Sequence, residues 1–261
     1  MDPTPRVDAA GVEHHAAEGD VRIVSLVPSI TELLVDLWLA GSLVGRTGFC
    51  IHPREVVRGI PKVGGTKDVK VDRIRELAPT HVVVNVDENR LETVEEIASF
   101  APSVIVTHPL APRDNLELYR LLGGIFRRER EAAELCARFE EALATLGPPG
   151  ELVDVLYLIW RDPWMTISRD TYISRTLALV GWRTVPAESS DRYPLVDPAE
   201  LAGSVERVLL SSEPFRFRER HIPELRALVP GAEVMLIDGE MTSWYGSRAI
   251  SAIGYLRELA V

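Results

Sequence analysis

A stretch with helical spacing, residues 114–146, divides the sequence into two halves of similar size and constrains its fold more than any other feature. Asp114 can cap the first turn of a helix there, and a Gly-Pro-Pro-Gly run at 147–150 ends the pattern abruptly. One continuous helix of this length would span about 50 Å, enough to cross a small domain. An ordinary long core helix would show the same spacing of its apolar residues, which are Leu118, Leu122, Ile125, Ala132, Cys136, Phe139, Leu143 and Leu146.

Strand and helix patterns alternate on both sides of this stretch, which favours a helix that spans between two lobes. The first helix would begin at a capping box formed by Ser29 and Glu32, and Glu32 is otherwise interpreted as a helix-surface charge. Such alternation implies parallel sheets covered by helices on both faces. The predicted strands are residues 21–27, 43–46, 81–86 and 103–107 in the first half, and 153–159, 205–211 and 233–237 in the second.

We therefore predict an α/β fold of two lobes with mainly parallel sheets, joined by a single long helix. A cleft between two lobes commonly binds a small molecule, so we expect a ligand there. The predicted boundaries are a disordered tail over residues 1–20, an N-terminal lobe over 21–112, a linking helix over 113–147 and a C-terminal lobe over 148–261.

The composition argues against several classes of protein. Of the 261 residues, 46% are hydrophobic and 26% are charged, an ordinary balance for a globular protein. The net charge of −10 argues against nucleic acid as a partner, because binding to phosphates needs a basic face. The two cysteines, Cys50 and Cys136, are too few for a disulfide framework or a four-cysteine metal site.

Residues 1–20 are polar and contain no apolar run, so they do not match a secretory signal or a lipoprotein leader. No other stretch is long and apolar enough for a transmembrane helix. The sequence as given therefore predicts a cytoplasmic protein that does not insert into a membrane, and a periplasmic or cell-surface protein if a leader was removed. We expect a monomer.

Aromatic residues concentrate in the loops that follow predicted strands. Ligands of open α/β sheets gather at the carboxyl ends of the strands, where these loops lie. Aromatic side chains on loops suit a flat or bulky ligand, although they can also pack against neighbouring loops. We predict that six of them line one ligand pocket, namely Phe49, Trp160, Trp164, Phe215, Trp244 and Tyr245, with Phe217 nearby in sequence.

Arg161 and Arg248 are the cations of the predicted pocket and would meet acidic groups of a ligand. Arg248 lies at a loop-to-helix junction, residues 243–248, where backbone N–H groups could also hold an anionic group. The sequence is equally consistent with a structural ion pair between Arg248 and Glu240 or Asp238.

Cys50 and His52 lie two residues apart on a predicted loop and could offer a thiolate and an imidazole to a metal ion. Glu213, Asp238 or Glu240 could complete the ligand set, although no spacing shows that these residues meet. The pair could also act as a catalytic dyad, but no third residue is identifiable to orient the imidazole. The glycine-rich dinucleotide motif, the P-loop, H-E-x-x-H and G-x-S-x-G are all absent from the sequence.

Seven segments together form a recognisable set. They are residues 22–33 (RIVSLVPSITEL), 43–47 (LVGRT) followed by Cys50 and His52-Pro53, 62–65 (KVGG), 72–84 (DRIRELAPTHVVV), 157–161 (YLIWR), 211–215 (SSEPF) and 243–248 (SWYGSR). The set resembles the vitamin B12 and ferric-siderophore binding proteins, which are the substrate-binding components of metal-chelate ABC importers. These proteins are also called helical-backbone metal receptors.

This resemblance implies a fold like that of class III periplasmic binding proteins, in which two α/β lobes are joined by one long helix. It also implies a metal-chelate ligand, such as a corrinoid or a ferric siderophore, held between the lobes with aromatic side chains against its apolar faces. Cys50 or His52 would then approach the metal. The implied partner is an ABC permease, and no intrinsic cofactor is expected.

We therefore predict a binding protein for a metal-chelate small molecule, without catalysis, as an importer component or a cytoplasmic relative of one. One alternative is an enzyme that acts on a corrinoid or chelate through Cys50 and His52. Another is a ligand-loaded cytoplasmic sensor or carrier. The predicted ligand contacts are Phe49, Cys50, His52, Trp160, Arg161, Trp164, Glu213, Phe215, Trp244, Tyr245 and Arg248, with Cys50 and His52 as the metal ligands.

Overall fold

The computed structural model of the protein describes residues 6–148 and 150–260. These residues form two compact units. Unit 1 consists of residues 6–109, 113–139 and 245–248, and unit 2 consists of the remaining described residues, 110–112, 140–148, 150–244 and 249–260. The chain therefore passes from one unit to the other more than once.

Unit 1 is built on a four-stranded parallel sheet with the strand order β2-β1-β3-β4. Its strands are β1 (Ile23–Ser25), β2 (Leu43–Arg46), β3 (His81–Asn85) and β4 (Ser103–Thr107). Its helices are α1 (Pro28–Asp36), α2 (Arg54–Val57), α3 (Val71–Glu76), α4 (Leu91–Ala98), α5 (Asn115–Ile125) and the first part of α6 (Glu129–Ala144).

Unit 2 repeats this architecture with the order β6-β5-β7-β8, again with parallel strands. Its strands are β5 (Val153–Leu158), β6 (Trp182–Thr184), β7 (Arg207–Ser211) and β8 (Glu233–Ile237). Its helices are α7 (Tyr172–Leu177), α8 (Ile222–Leu228), α9 (Gly239–Ser243) and nearly all of α10 (Arg248–Leu259). The prediction of two α/β lobes with parallel sheets is confirmed, although neither β6 nor α9 was predicted.

The strands are buried because helices cover both faces of each sheet, as in parallel sheets generally. In β5, Val155 and Tyr157 pack into one apolar cluster of unit 2, whereas Leu156 and Leu158 pack into a second cluster. The side chains of a strand alternate between its faces, so these two clusters lie on opposite sides of the sheet. Each strand's carboxyl end leads into a loop, and these loops carry the predicted site residues.

The prediction of one continuous helix over residues 114–146 is wrong. Helix α5 ends at Ile125, α6 begins at Glu129, and Arg127 between them has a positive φ of 56°. Gly123 makes the turn possible: a Cβ atom on it would lie 2.5 Å from the Cβ of Ala132. The amide of Arg128 also donates to the carbonyl of Gly123 at 2.7 Å, which closes the turn. The apolar stripe is buried from Leu118 to Phe139, but on two helices.

The prediction of a disordered tail is wrong for residues 6–20, while residues 1–5 lie outside the described residues. Val7 and Glu13 form an antiparallel bridge, and the amide of Ala9 donates to the carbonyl of Val106 at 3.0 Å. This N-terminal hairpin (residues 6–14) therefore pairs with β4, the last strand of its sheet. Pairing of this kind satisfies the backbone groups of an edge strand.

The first helix begins differently from the sequence prediction. Pro28 occupies the first helical turn, Val27 is the N-cap residue without a side-chain hydrogen bond, and Ser29 lies within the helix. The predicted capping box of Ser29 and Glu32 is therefore wrong. Proline is well suited to a first turn, because its missing N–H would have no partner in the helix.

None of the helices within residues 6–148 and 150–260 is long and apolar enough to cross a membrane.

Candidate functional site

An aromatic cluster occupies the loops that follow β5 and β7 in unit 2. The rings of Trp160 and Phe215 meet edge to face at 5.7 Å between centroids, and Phe215 and Phe217 are 4.7 Å apart. Phe217 is buried, whereas 41% of the surface of Trp160 is exposed. The loops thus present an exposed indole that is supported by buried or half-buried rings.

Trp164 and Arg161 extend this cluster on the same β5 loop. Trp164 stacks on Phe217 with 6.1 Å between centroids and 6° between ring planes. The guanidinium of Arg161 lies 5.6 Å from the Trp164 ring, an attractive cation–π geometry. Arg161 also forms ion pairs with Asp162 at 3.1 Å and Glu224 at 2.9 Å. Its charge is therefore already matched by two carboxylates of the protein.

His221 belongs to the aromatic cluster, although the sequence analysis missed it. Its ring lies 5.6 Å from that of Phe215 and 5.5 Å from that of Phe217. Desolvation by burial, with the nearby charges of Arg220 and Arg161, lowers the pKa of His221. Its Nδ1 accepts the backbone N–H of Arg218 at 2.9 Å, which also holds the ring in place. In the sequence, only the position of His221 four residues after Phe217 could have indicated that it belongs to the aromatic cluster.

Glu213 and Trp244 are brought together within unit 2. Glu213 Oε1 accepts hydrogen bonds from the Ser243 hydroxyl at 2.6 Å and from the Trp244 indole N–H at 2.8 Å. Trp244 is buried and Glu213 is half-buried. Burial raises the pKa of Glu213, and Glu240 and Asp238 raise it further, while the two hydrogen bonds act in the opposite direction.

Phe49 is the most exposed of the predicted aromatic residues, with 62% of its surface accessible. It lies on the loop after β2 in unit 1, beside the exposed Ile51. The Phe49 ring packs beside Gly65, because a Cβ atom on Gly65 would lie 3.4 Å from Phe49 Cε2.

Cys50 lies in the interior of unit 1. Its thiol is 3.1 Å from the Thr47 hydroxyl, and burial raises the pKa of that thiol. His52 is half-buried on the same loop. In the part of the chain that the structure describes, no group of three or more His, Cys, Asp or Glu side chains could hold a metal ion. A metal site at Cys50 and His52 therefore gains no support, since a metal needs thiolates and further ligands.

Tyr245 and Arg248 both bind carboxylates of unit 1. The Tyr245 hydroxyl donates to Glu88 at 2.8 Å, and burial, with the charge of Glu88, raises the pKa of this phenol. Arg248 forms a bidentate pair with Glu32, with both N···O distances at 2.8 Å. The interpretation of Glu32 as a helix-surface charge is therefore wrong, and Glu32 is the carboxylate that Arg248 binds through two hydrogen bonds.

The loop after β3, residues 85–89, is a further polar region, and none of its residues was among the predicted ligand contacts. Asn85 donates through Nδ2 to the carbonyl of Thr107 at 2.9 Å, and Asn89 accepts the backbone N–H of Asn85 at 2.9 Å. Lys67 donates to the carbonyl of Asp87 at 2.7 Å. These bonds hold the turn that presents Asp87 and Glu88. The signal for it in the sequence was the position of residues 85–89 at the carboxyl end of a predicted strand.

The structure thus groups the predicted residues into separate sets. Trp160, Arg161, Trp164 and Phe215 share one cluster, Glu213 holds Trp244, and Tyr245 and Arg248 are anchored by acids of unit 1. Phe49 stands on Gly65, and Cys50 is enclosed in the core. Among the predicted aromatic residues, Trp160 in unit 2 and Phe49 in unit 1 are the exposed ones.

The family of this chain follows from comparisons with known proteins. Residues 23–210 match the model of a family described as periplasmic binding proteins. A vitamin B12-binding protein of Photorhabdus laumondii is 25% identical over 196 residues, which cover 72% of this chain and 69% of that protein. Because the matched region exceeds half of the chain, membership of the family is established.

Two solved structures share the fold. The periplasmic vitamin B12 binding protein of Vibrio cholerae superimposes with a TM-score of 0.79 and 15% identity, over 92% of this chain and 96% of that one. A periplasmic heme-binding protein from Roseiflexus sp. RS-1 gives 0.77 and 20% identity, over 93% and 98% of the two chains. Both structures are described as binding proteins, one for vitamin B12 and one for heme. The chain therefore belongs to the periplasmic binding protein family and is a binding protein, not an enzyme.

Proposed function

We propose that this protein binds a planar metal chelate of the corrinoid type, as the substrate-binding component of an ABC importer or as a relative of one. The observation that carries the proposal is the exposed indole of Trp160 on its support of packed rings. Because these rings are already packed in the ligand-free protein, little conformational entropy is lost when the ligand binds, and this favours affinity. The names of the similar proteins, which bind vitamin B12 or heme, support a macrocyclic ligand.

The charges around the predicted contacts favour a corrinoid over a more acidic chelate. Arg161 is paired with Asp162 and Glu224, and Arg248 is paired with Glu32. Haem carries two carboxylates, whereas the ring of a corrinoid such as cobalamin carries neutral amides at its edge. An acidic ligand would have to compete with these internal carboxylates for the two arginines, and an amide-edged ligand would not.

A thermal-shift screen tests this proposal. The purified protein would be heated with cyanocobalamin, haemin, a ferric siderophore and free divalent metal ions in separate samples. A ligand at 100 times its Kd adds about 2.7 kcal/mol to the free energy of unfolding, which is readily measured as a higher melting temperature. We expect the largest shift with cyanocobalamin. A shift only with haemin or the siderophore would contradict the corrinoid assignment, and a shift only with free metal would contradict chelate binding.

The location of the protein, its role as a sensor or carrier, and its oligomeric state stay predictions. The cytoplasmic location predicted from residues 1–20 differs from the periplasmic description of the family, and cell fractionation would decide between them. The sensor or carrier alternative requires a protein partner that docks only when ligand is bound. Pull-down with and without cyanocobalamin distinguishes that role from delivery to an ABC permease. The monomer prediction is checked by light scattering in the same samples.

The enzyme alternative is not proposed. The thiol of Cys50 is buried, and its raised pKa keeps it protonated near neutral pH, when a nucleophile would need to be a thiolate. The similar proteins are binding proteins as well. The structure supports the interpretation of Cys50 as a small core residue whose thiol is hydrogen-bonded to the Thr47 hydroxyl.

A further inference from the structure

Glu213 joins two loops of unit 2 through a single carboxylate oxygen. Its Oε1 accepts hydrogen bonds from Ser243, the last residue of α9, and from the indole N–H of Trp244. Hydrogen bonds to a carboxylate are stronger than bonds between neutral groups. The loop after β7 is therefore held firmly against the end of α9.

Backbone packing brings the same two segments into close contact. A Cβ atom on Gly239, at the start of α9, would lie 2.6 Å from Glu213 Cγ and 2.5 Å from Ser211 Oγ. The amide of Gly239 also donates to the Ser212 hydroxyl at 2.8 Å. A residue larger than glycine would push α9 away from the β7 loop. This approach is independent of the two hydrogen bonds to the carboxylate.

A network of buried hydroxyl groups fixes the backbone of Glu213. The Ser211 hydroxyl donates to the carbonyl of Glu213 at 2.6 Å and accepts the phenol of Tyr157 at 3.0 Å. The Thr242 hydroxyl of α9 lies 2.6 Å from the same phenol. Connected polar groups of this kind rigidify a core when every member has a partner. The position of Glu213 is thus set by the interior of unit 2.

The loop that Glu213 anchors carries the support of the exposed indole. Phe215 follows two residues later, its amide donates to the carbonyl of Ile159 at 3.2 Å, and its ring meets Trp160 edge to face. We propose that Glu213 is a positioning residue that sets the Phe215–Trp160 ring pair through its bonds to Ser243 and Trp244, without contacting the ligand. This replaces the predicted role of Glu213 as a ligand contact, and its importance for binding rests on the proposed function.

The indole N–H signals of the ligand-free protein test this role directly. In 15N–1H spectra, the signals of Trp244 and Trp160 would be assigned from their loss in Trp244→Phe and Trp160→Phe. In Glu213→Ala, we expect the Trp244 signal to shift and its proton to exchange with water at least about tenfold faster, because its acceptor is gone. The Trp160 signal should shift as well, because the Phe215 ring beside it moves.

Two further variants serve as controls. Glu240→Gln removes a neighbouring carboxylate of α9 and should leave both indole signals in place. Glu213→Gln keeps an acceptor oxygen, so we expect smaller shifts in the same direction as in Glu213→Ala. If circular dichroism shows that Glu213→Ala is unfolded, the indole signals of Glu213→Gln test the proposal instead. Unchanged Trp244 or Trp160 signals would overturn the proposal.

Ligand affinity gives the second readout. We expect Glu213→Ala to raise the Kd for cyanocobalamin about tenfold, and Glu240→Gln to leave it unchanged. Shifted indole signals with an unchanged Kd would overturn the proposal. If the native protein binds no chelate at all, the proposed function fails, whereas the indole signals still decide whether Glu213 positions the ring pair.

Discussion

At the scale of single residues, buried and half-buried charges of this protein are held by partners that are distant in the sequence. Arg248 binds Glu32 across 216 residues of chain, and Asp8 accepts the amide of Val106 across 98. A charge leaves water at low cost only where other groups replace its hydration. Each of these pairs can therefore form only after folding has brought the two distant residues together.

Asp8 is expected to make a pH-dependent contribution to stability. Burial acts to raise the pKa of Asp8, but hydrogen bonds from His14 and from three backbone amides outweigh it and lower the pKa below 3.8. A carboxyl with a depressed folded-state pKa stabilises the fold above its unfolded pKa, and this stabilisation is lost as the pH falls through the folded pKa. Asp8→Asn should therefore cost about 1–3 kcal/mol near pH 7.

Urea unfolding at several pH values checks this expectation. The difference between Asp8→Asn and the native protein should begin to shrink below about pH 4, where Asp8 of the unfolded chain takes up a proton, and should be lost as the pH falls through the lower pKa of the folded state. Glu13→Gln is the matched control, because Glu13 is an exposed acid of the same hairpin and should have little effect. A penalty for Asp8→Asn that stays constant down to pH 3 would show that the carboxylate charge is not what stabilises the hairpin.

Trp160 is expected to dominate ligand contact. Trp160→Ala should raise the Kd of the bound chelate by about tenfold or more, since exposed aromatic residues on a rigid support carry much of the energy of such contacts. Trp38→Ala is the matched control, because Trp38 is 68% exposed at the end of α1 and does not belong to the aromatic cluster. Isothermal titration of both variants would give the comparison. Equal effects of the two changes would contradict the assignment of the site.

At the scale of secondary-structure elements, the sharpest departure from the sequence pattern is the turn between α5 and α6. The apolar spacing continues through residues 123–128, so local periodicity predicts an unbroken helix. The chain turns because Gly123 allows Ala132 of α6 to pack closely on α5. Burying the apolar stripe against the rest of unit 1 outweighs the helical propensity of the turn residues.

A pair of glycine substitutions tests this explanation. Gly123→Ala should lower the free energy of unfolding by about 1–3 kcal/mol, because its Cβ would collide with Ala132. Gly254→Ala lies within α10, where nothing is within 4 Å of the added atom, and it should raise the free energy of unfolding by about 0.5–1 kcal/mol. Thermal and urea unfolding of both variants provides the comparison. A neutral Gly123→Ala would show that the close helix contact is not required.

The N-terminal hairpin shows why composition alone misjudged residues 6–20. Charged and polar residues without an apolar run are typical of disordered segments. Here the buried Asp8 and His14 bind each other at 3.0 Å, and His14 lies 3.2 Å from the Ser103 hydroxyl of β4. The segment is ordered by hydrogen bonds to an edge strand, and not by a hydrophobic core of its own.

At the scale of the whole molecule, the structure contains no built-in metal site among residues 6–148 and 150–260. We therefore expect EDTA to leave the melting temperature of the ligand-free protein unchanged, because no resident ion contributes to its stability. Differential scanning fluorimetry with and without EDTA checks this, and addition of free Zn²⁺ is the companion measurement. A fall in melting temperature with EDTA would restore Cys50 and His52 as candidate metal ligands.

Much of the architecture was predictable because it depends on local patterns. The predicted strands 103–107 and 233–237 coincide with β4 and β8. The three-residue strand β6 was missed because so short a run carries no periodicity of its own. It becomes a strand by pairing with β5 over residues 153–155.

The candidate site was predictable only in part. The sequence indicated which loops would carry aromatic residues, since a loop after a buried strand lies at the carboxyl edge of a parallel sheet. It did not show which side chains are presented and which are buried. Trp160 and Phe49 are exposed, whereas Trp244, Tyr245 and Cys50 are enclosed. That difference depends on what packs against each ring, which residue types alone do not specify.

By itself, the sequence determined that this protein is an α/β protein with parallel sheets and binding loops, because buried strands and amphipathic helices are encoded by neighbouring residues. The tertiary structure decided which charges are matched, that the long helical pattern turns at Gly123, and that Glu213 holds Trp244. The turn at Gly123 depends on close packing against Ala132. The pair of Arg248 with Glu32 and the bond from Trp244 to Glu213 rest on contacts between residues far apart in the chain. Such contacts exist only once the sheets have formed and have brought their loops together.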